Sequence, residues 1–180
     1  DIYIGRETII EPGVTVKGPA IIGKKCTLRS GAYLRENVIL GDECIIRGEL
    51  KNTVLLNKSN FPHPSYLGDS ICGFQTHFGN QATAANFGIF NGLPTDKPRK
   101  NIILKIGSKL YDTGRTKIGV ILGDFCQVGC NAVSEPGTFL KPWTIVYALT
   151  QIPKGFYGPK EILKNKAFEK GIIERSLLKI

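Results

Sequence analysis

Branched apolar residues recur at every sixth position through residues 4–46 of the chain. The series runs Ile4, Ile10, Val16, Ile22, Leu28, Leu34, Leu40 and Ile46. Mostly small residues stand four positions after each of these, at Thr8, Val14, Ala20, Cys26, Ala32, Val38, Cys44 and Leu50. An isolated strand alternates and a helix repeats at three and four, so neither element alone produces this spacing. The six-residue period predicts short flat strands joined by tight turns and wound into a coil.

This period resembles that of the left-handed parallel β-helix, in which three hexapeptides form one triangular coil. The branched residue then fills the interior, and the small residue lets the corner close. A single coil cannot bury its apolar side, so coils must stack. Cys26 and Cys44 lie one coil apart in this arrangement. We expect them to be stacked, buried and reduced thiols rather than a disulfide or a metal pair.

The period is interrupted by one long insertion. It stops after Leu50, resumes in a new register at Cys72, Phe78 and Ala84, and returns at Leu122, Val128, Ser134, Leu140 and Val146. Residues 87–117 therefore leave the stack, and insertions of this kind lie on one face, which is often the binding face. Within the insertion, the stretch IILKIGSKLYD predicts a small hairpin with Gly107 in its turn.

The last thirty residues no longer follow the period. Residues 151–180 contain good helix formers, and Pro159 suits the first turn of a helix. We expect short helices here, interrupted near Gly171. The predicted organisation is an all-β domain, a β-helix over residues 1–150 with its inserted loop and hairpin, followed by a short and partly helical C-terminal extension.

Composition adds limits on function. The 180 residues fit one domain and carry a net charge of +9. Residues 96–117 hold seven Lys and Arg against two Asp, which fits either a solvated loop or a site for a phosphorylated small molecule. Nucleic-acid motifs and apolar runs of membrane-spanning length are absent from the sequence. Five cysteines at irregular spacing favour a reducing, cytoplasmic location over a disulfide framework.

One stretch between the two hexapeptide runs is far more specific than the repeats. Residues 48–73 read GELKNTVLLNKSNFPHPSYLGDSICG, followed later by NFG and DTGRTKIGVILGD. Together they resemble the C-terminal acetyltransferase domain of bifunctional sugar-1-phosphate nucleotidylyltransferases, both glucose-1-phosphate thymidylyltransferase-like and N-acetylglucosamine-1-phosphate uridylyltransferase-like, over about residues 2–150. The resemblance implies acetyl transfer from acetyl-CoA to an amino-sugar 1-phosphate in nucleotide-sugar biosynthesis, with no metal required.

The resemblance also assigns a proton acceptor. His63, framed by two prolines, stands where that family has its general base, and an imidazole titrates close to working pH. A base is needed because an amino sugar is an ammonium ion near neutral pH, whereas only the free amine attacks a thioester. Asn86 corresponds to an asparagine that orients the histidine and the substrate. Glu49 is our candidate to orient His63, by analogy with other carboxylate–imidazole pairs.

Five further positions correspond to substrate contacts. They are Arg29, Lys51, Tyr66, His77 and Lys117. The cationic members would bind the sugar phosphate. Tyr66 would contact the sugar ring, and His77 stands where the uridylyltransferase relatives have an asparagine.

The acetyl-CoA contacts are placed at the next corner of the coil. Gly79, Asn80 and Cys130 are the candidates, and backbone amides around Gly79 and Asn80 would hold the oxyanion. The sequence departs from the family here, since Gly79-Asn80-Gln81 replaces a glycine-rich GAG and Phe87 replaces a tyrosine.

Two classes of function stay open at this point. The enzyme predicted above would be a homotrimer with its active site between neighbouring prisms. The alternative is a non-catalytic β-helix domain that assembles or regulates a nucleotidylyltransferase domain. The chain begins at Asp1 and contains no methionine, so we expect such a domain upstream. A γ-type carbonic anhydrase needs three zinc histidines, and this chain has two.

Overall fold

A computed structural model describes residues 1–92, 98–165 and 173–177 of the chain. Three parallel sheets form the sides of a triangular prism, and consecutive strands pass from one side to the next. The fold is the left-handed hexapeptide-repeat β-helix that the six-residue period predicts. Strands are numbered β1 to β26 along the chain.

The three sides are named sheets A, B and C. Sheet A contains β1 (Ile2–Ile4), β4 (Ala20–Ile22), β7 (Val38–Leu40), β10 (Thr53–Leu55), β13 (Ile71–Cys72), β18 (Val120–Leu122), β21 (Thr138–Leu140) and β24 (Gly155–Tyr157). Sheet B contains β2 (Ile9–Ile10), β5 (Thr27–Leu28), β8 (Ile45–Ile46), β11 (Asn60–Phe61), β14 (His77–Phe78), β19 (Gln127–Val128), β22 (Ile145–Val146), β25 (Glu161–Asn165) and β26 (Ile173–Leu177). Sheet C contains β3 (Thr15–Val16), β6 (Tyr33–Leu34), β9 (Glu49–Lys51), β12 (Tyr66–Gly68), β15 (Thr83–Ala84), β20 (Val133–Ser134) and β23 (Gln151–Ile152).

The predicted branched residues fill the prism. Ile22, Leu28, Leu34, Leu40 and Ile46 are fully or almost fully buried, and later coils continue the column with Phe61, Leu67, Phe78, Leu122, Leu140, Val146, Ile152 and Leu163. In the first coil, Ile4 and Ile10 are 42% and 45% exposed, because that coil has a neighbouring coil on one side only. Stacking therefore supplies the burial that each coil lacks by itself.

The thiols expected at one corner are buried there. Cys26 and Cys44 are free and fully buried. Their sulfur atoms lie 3.1 Å from the Gly41 carbonyl oxygen and 3.3 Å from the Leu56 carbonyl oxygen, each in the following coil. A small side chain at this corner therefore closes the turn and also donates a weak hydrogen bond to the next coil.

The inserted segment contains the predicted hairpin. Strands β16 (Ile103–Ile106) and β17 (Lys109–Asp112) pair antiparallel, and Gly107 occupies the turn with φ of +60°. A short 3-10 helix, Ile89–Gly92, begins the insertion.

The C-terminal extension differs from the prediction of helices. Its described part is strand, since β25 pairs with β22 in parallel and with β26 antiparallel. The physical reason is the open edge of sheet B, which offers unpaired backbone groups and a place to bury Leu163, so tertiary pairing overrides helix propensity. The predicted interruption near Gly171 lies outside the described residues. Parallel stacking thus continues past residue 150 to Asn165.

Candidate functional site

The corner between sheets B and C carries the proline-framed histidine. His63 lies in the turn between β11 and β12, partly exposed, while Pro62 before it is buried. Arg29 reaches this corner from two coils earlier, and its Nη1 donates to the Pro62 carbonyl oxygen at 3.4 Å. Arg29, which we predicted to bind phosphate, therefore supports the backbone beside His63.

His77 lies close to His63 on the adjoining sheet. It is an outward-facing residue of β14, between Asn60 and Gln127 of the neighbouring strands. Burial lowers the pKa of the His77 imidazole, and the charge of His63 lowers it further. The two histidines of the chain are thus brought together, with His77 held towards its neutral form.

The outer side of sheet C presents charged side chains next to this corner. Glu49 lies between Tyr33 and Tyr66 on adjacent strands. Its Oε1 accepts a hydrogen bond from Nη1 of Arg35 at 3.0 Å, which raises the pKa of Arg35. Among the hydrogen bonds of the described chain, Glu49 makes none to His63, so the expected orienting pair is not formed.

Two cations share one carboxylate where strands β6 and β9 of sheet C end. Lys51 Nζ lies 2.9 Å from Oε1 of Glu36, and Arg35 Nε lies 4.0 Å from Oε2 of the same residue. The hydrogen bond from Lys51 is the main reason that the pKa of Glu36 is lowered. Lys51 is a predicted substrate contact, whereas Arg35 was missed by the sequence analysis.

A buried amide links sheet C to the next coil. Asn86 is 8% exposed, and its Nδ2 donates to the Tyr66 hydroxyl at 3.0 Å and to Oδ2 of Asp69. Burial is the largest of the effects that raise the pKa of Tyr66. Asn86 therefore positions Tyr66, and the structure does not bring it into hydrogen-bond contact with His63 among the residues described.

The candidate acetyl-CoA residues occupy the same corner in the following two coils. A Cβ at Gly79 would lie 2.7 Å from the Cys130 nitrogen, so the glycine is needed for close stacking. The Gly79 N–H donates to the Val128 carbonyl at 2.7 Å and is not free to bind an oxyanion. The Asn80 N–H makes no hydrogen bond within the described part of the chain, and Asn80 and Cys130 are both exposed.

Lys117 lies at the base of the insertion. It forms a β-bridge with Phe87, and its Nζ lies 5.7 Å from the centre of the Phe87 ring. The Arg99 guanidinium lies 5.1 Å from the same ring. The base of the insertion is therefore cationic where it leaves the stack beside Asn86.

The described residues lack two further features. They contain no group of three or more His, Cys, Asp or Glu side chains arranged to hold a metal ion. Nor do they include a helix with the length and hydropathy required to span a bilayer.

Comparison with known proteins agrees with the repeats. Residues 1–36 match the family model described as bacterial transferase hexapeptide (six repeats). These residues belong to the hexapeptide-repeat family. A bifunctional sugar-1-phosphate nucleotidylyltransferase/acetyltransferase of Sulfurisphaera tokodaii is 30% identical over 158 residues, which cover 77% of this chain and 37% of that protein.

Other bifunctional relatives match over a shorter stretch of the chain. The bifunctional protein GlmU of Methanocaldococcus jannaschii is 36% identical over 89 residues, covering 49% of this chain and 20% of that protein. This hexapeptide-repeat chain thus spans well under half the length of the relatives it matches. Among solved structures, an N-acyltransferase from Bacillus cereus in complex with dTDP and coenzyme A has a TM-score of 0.49 at 13% identity, covering 99% of this chain and 84% of that one.

Proposed function

We propose that this chain is a CoA-dependent N-acetyltransferase whose acceptor is an amino-sugar 1-phosphate. The observation that carries the proposal is the position of His63, in a stiff proline-framed turn between β11 and β12, with Asn80 and Cys130 exposed at the same corner of the following coils. An acceptor with an amine and a phosphate fits a base just before β12 and a cation, Lys51, beside the residue that ends β12. The similarity to bifunctional nucleotidylyltransferase/acetyltransferases supports the same reaction.

The proposed chemistry is one acyl transfer. The sugar ammonium first loses one proton to solvent, and His63 then accepts a second proton from the amine nitrogen as that nitrogen attacks the thioester carbonyl of acetyl-CoA. The Asn80 N–H, which has no acceptor in the described chain, is the backbone donor for the developing oxyanion. Collapse of the tetrahedral intermediate forms the amide and releases the CoA thiolate. The protonated imidazole returns its proton to that sulfur.

The acceptor would bind along sheet C. Lys51 and Arg35 supply fixed positive charge for the phosphate, and Tyr66, held by Asn86, faces the sugar. Lys117 adds charge at the base of the insertion. Burial lowers the pKa of His77 and so favours its neutral form, which can offer the acceptor a hydrogen bond.

The assembly is also part of the proposal. We propose a cytoplasmic homotrimer in which the site lies between neighbouring prisms, preceded in the full protein by a nucleotidylyltransferase domain. The relatives named above are bifunctional, and this chain covers only part of them.

A non-catalytic assembly domain is the second candidate. The ion pairs that Glu36 and Glu49 make with Lys51 and Arg35 favour it, because a structural face also satisfies its charges internally. The hydrogen bond from the Gly79 N–H to the Val128 carbonyl also favours the assembly domain, because this N–H is not free to bind an oxyanion.

Product formation separates the two candidates. The chain is incubated with acetyl-CoA and glucosamine 1-phosphate, and the N-acetylated product is detected by mass spectrometry. Galactosamine 1-phosphate and unphosphorylated glucosamine serve as comparison acceptors. Transfer to a 1-phosphate supports the enzyme. Absence of transfer to both 1-phosphates, with no shift of the melting temperature by acetyl-CoA, favours the assembly domain.

A further inference from the structure

Strand pairing is incomplete between the coil that carries His63 and the next coil. On sheet B, β11 pairs with β14 only through Asn60 and His77, and on sheet C, β12 pairs with β15 only through Leu67 and Ala84. Strands β11 and β12 share two and three residue pairs with β8 and β9 of the preceding coil. Strands β14 and β15 share two residue pairs each with β19 and β20 of the following coil. The backbone ladder is therefore shortened on both sides of the His63 turn, towards the coil of β14 and β15.

Proline accounts for the gap on sheet B. Where a strand of sheet B ends, the first residue after it donates its N–H to the next coil, as Arg29, Arg47 and Gly79 do. The residue at this place after β11 is Pro62, which has no N–H to donate. The Phe78 carbonyl oxygen, at the matching position of the next coil, receives no bond from it. The proline that stiffens the approach to the histidine thus also removes a bond to the following coil.

The gap continues where β12 of sheet C begins. The first residues of β6, β9 and β15 are Tyr33, Glu49 and Thr83, and each donates its N–H to a carbonyl oxygen of the next coil at 2.8–3.2 Å. The first residue of β12 is Tyr66. Among the hydrogen bonds of the described chain, its N–H makes none to the Ala82 carbonyl oxygen. The turn between β11 and β12 therefore lacks the backbone bonds that join other coils.

Two side-chain hydroxyls bridge this gap. Ser65 Oγ lies 2.7 Å from Thr83 Oγ1, and both side chains are partly buried. Ser65 follows His63 by two residues, and Thr83 follows Asn80 by three. Within the part of the chain that the structure describes, this is the one hydrogen bond that joins the turn between β11 and β12 to the coil of β14 and β15.

The hydroxyl protons of this pair have compatible places. The Thr83 hydroxyl also lies 3.2 Å from the Gln81 carbonyl oxygen, and a threonine has one hydroxyl proton. With that proton donated to Gln81, the Thr83 oxygen accepts the proton of Ser65. The pair then connects the His63 turn to the backbone of the corner that contains Asn80.

The preceding coils hold the same turn independently of this pair. The Glu49 N–H donates to the Ser65 carbonyl oxygen at 2.8 Å, and Arg29 Nη1 donates to the Pro62 carbonyl oxygen at 3.4 Å. Loss of the Ser65 hydroxyl would therefore leave the turn attached to the coils before it. It would remove the polar connection to the following coil.

We propose that the Ser65–Thr83 hydroxyl pair positions His63 relative to the Asn80 N–H for acyl transfer. The inference rests on the proposed function, in which the imidazole acts at the acceptor nitrogen and the Asn80 N–H at the oxygen of the same tetrahedral centre. Misplacement of reacting groups by about 1 Å costs a large part of the rate. Ser65 and Thr83 act through the two other residues, so they are positioning residues.

Removing either hydroxyl tests the proposal. Ser65→Ala and Thr83→Val should each lower kcat by about 10- to 100-fold with the amino-sugar 1-phosphate that wild type acetylates. KM for that acceptor should stay as in wild type, because its contacts on sheet C remain and the loss falls on the transition state. Thr15→Val is the matched control, since Thr15 is an exposed residue of the same sheet, in the first coil. Its kcat should equal that of wild type.

Three further measurements separate positioning from a loss of stability or of the base. The double variant should be no slower than the slower single variant, because both changes remove the same bond. Thr83→Ser keeps the hydroxyl and should restore most of the rate. The rise of kcat with pH should persist in Ser65→Ala, since His63 is still present, whereas His63→Ala should lose it.

Circular dichroism melting identifies any variant that does not fold. If Thr83→Val is such a variant, Ser65→Ala and Ser65→Thr carry the same test, because the first removes the hydroxyl of the same bond and the second keeps it. Ser65→Thr should then retain most of the wild-type kcat.

Several results would overturn the role of the pair. They are wild-type rates in the variants that lack a hydroxyl, a double variant whose loss is the product of the single losses, a loss that the hydroxyl-keeping variants do not restore, and an equal loss in Thr15→Val. Active wild type with unaffected variants overturns this role alone. A wild type that acetylates neither amino-sugar 1-phosphate overturns the proposed function, and the role of the pair with it.

Discussion

The amide of Asn86 donates to the hydroxyl of Tyr66 at 3.0 Å, directly over the backbone of Gly68. A Cβ at Gly68 would overlap the Tyr66 hydroxyl and lie 2.8 Å from Nδ2 of Asn86. The glycine is therefore required by packing, since it does not have the positive φ that favours glycine elsewhere in the chain.

Gly68→Ala should displace Tyr66 from Asn86. We expect a loss of about 1–3 kcal/mol in the free energy of unfolding, as for other overpacked sites, and a higher KM for the amino-sugar phosphate. Urea unfolding and acetyl-transfer kinetics measure the two effects. Gly88→Ala is the control, because a Cβ at Gly88 would meet only Nδ2 of Asn91, at 3.8 Å. An unchanged KM in Gly68→Ala would show that Tyr66 does not contact the acceptor.

Cys130 should be the fast-reacting thiol of the native protein. It is exposed, whereas Cys26, Cys44, Cys72 and Cys126 are buried, and burial raises the pKa of Cys126 to about 11 and that of Cys72 further. A disulfide reagent should label one thiol rapidly and the other four only after denaturation. Cys130→Ser should abolish the rapid phase.

The same reaction locates acetyl-CoA. A thioether analogue of acetyl-CoA, which has no free thiol, should slow labelling of Cys130 if the cofactor binds at the corner formed by Gly79 and Asn80. Saturation with the analogue, confirmed by its thermal shift, without any slowing would move the cofactor site away from this corner.

His77 should titrate below the ordinary imidazole range. Burial and, to a lesser extent, His63 lower its pKa, so the folded protein resists protonating it while the unfolded chain does not. Stability should therefore fall as pH decreases below about 6.5. Nuclear magnetic resonance of the two imidazoles gives the pKa directly. His63→Gln should raise the pKa of His77 but leave it below the ordinary value, because the imidazole stays buried. An unchanged pKa would show that His63 does not act on His77.

Local sequence was enough to predict the prism and its core. The interior position of each coil is set by the residue itself, so Leu28 and Leu34 could be placed from the six-residue period. The C-terminal extension could not, because its strand depends on the exposed edge of sheet B. Helix propensity there describes the isolated segment, whereas pairing with Ile145 and Val146 decides the structure.

Which site residues become neighbours depends on the number of residues in each coil, and the six-residue period does not reveal that number. Cys26 and Cys44 are eighteen residues apart and stack as predicted, but Leu34 pairs with Leu50 only sixteen residues later. The shortened corner at Arg47 and Gly48 packs against Phe61. This change of length brings Arg35 beside Lys51, and an eighteen-residue spacing would have placed Tyr33 there instead.

His63→Ala should distinguish an enzyme from an assembly domain. If the imidazole is the general base, kcat should fall by about 10²- to 10⁴-fold, the usual effect of losing a positioned proton acceptor. The free energy of unfolding should change by no more than roughly 0.5 kcal/mol, because the side chain is a partly exposed loop residue. Equilibrium unfolding and steady-state acetyl transfer provide the two values.

The pH dependence of kcat makes the test specific to proton transfer. In wild type, kcat should rise with pH as the general base loses its proton, and His63→Ala should lack that limb. Higher pH should partly restore the variant, because more of the acceptor amine is then already unprotonated. A merely structural histidine would lower kcat equally at all pH values. Full activity in His63→Ala across this range would remove His63 as the base, and the proline-framed corner would then be a structural turn.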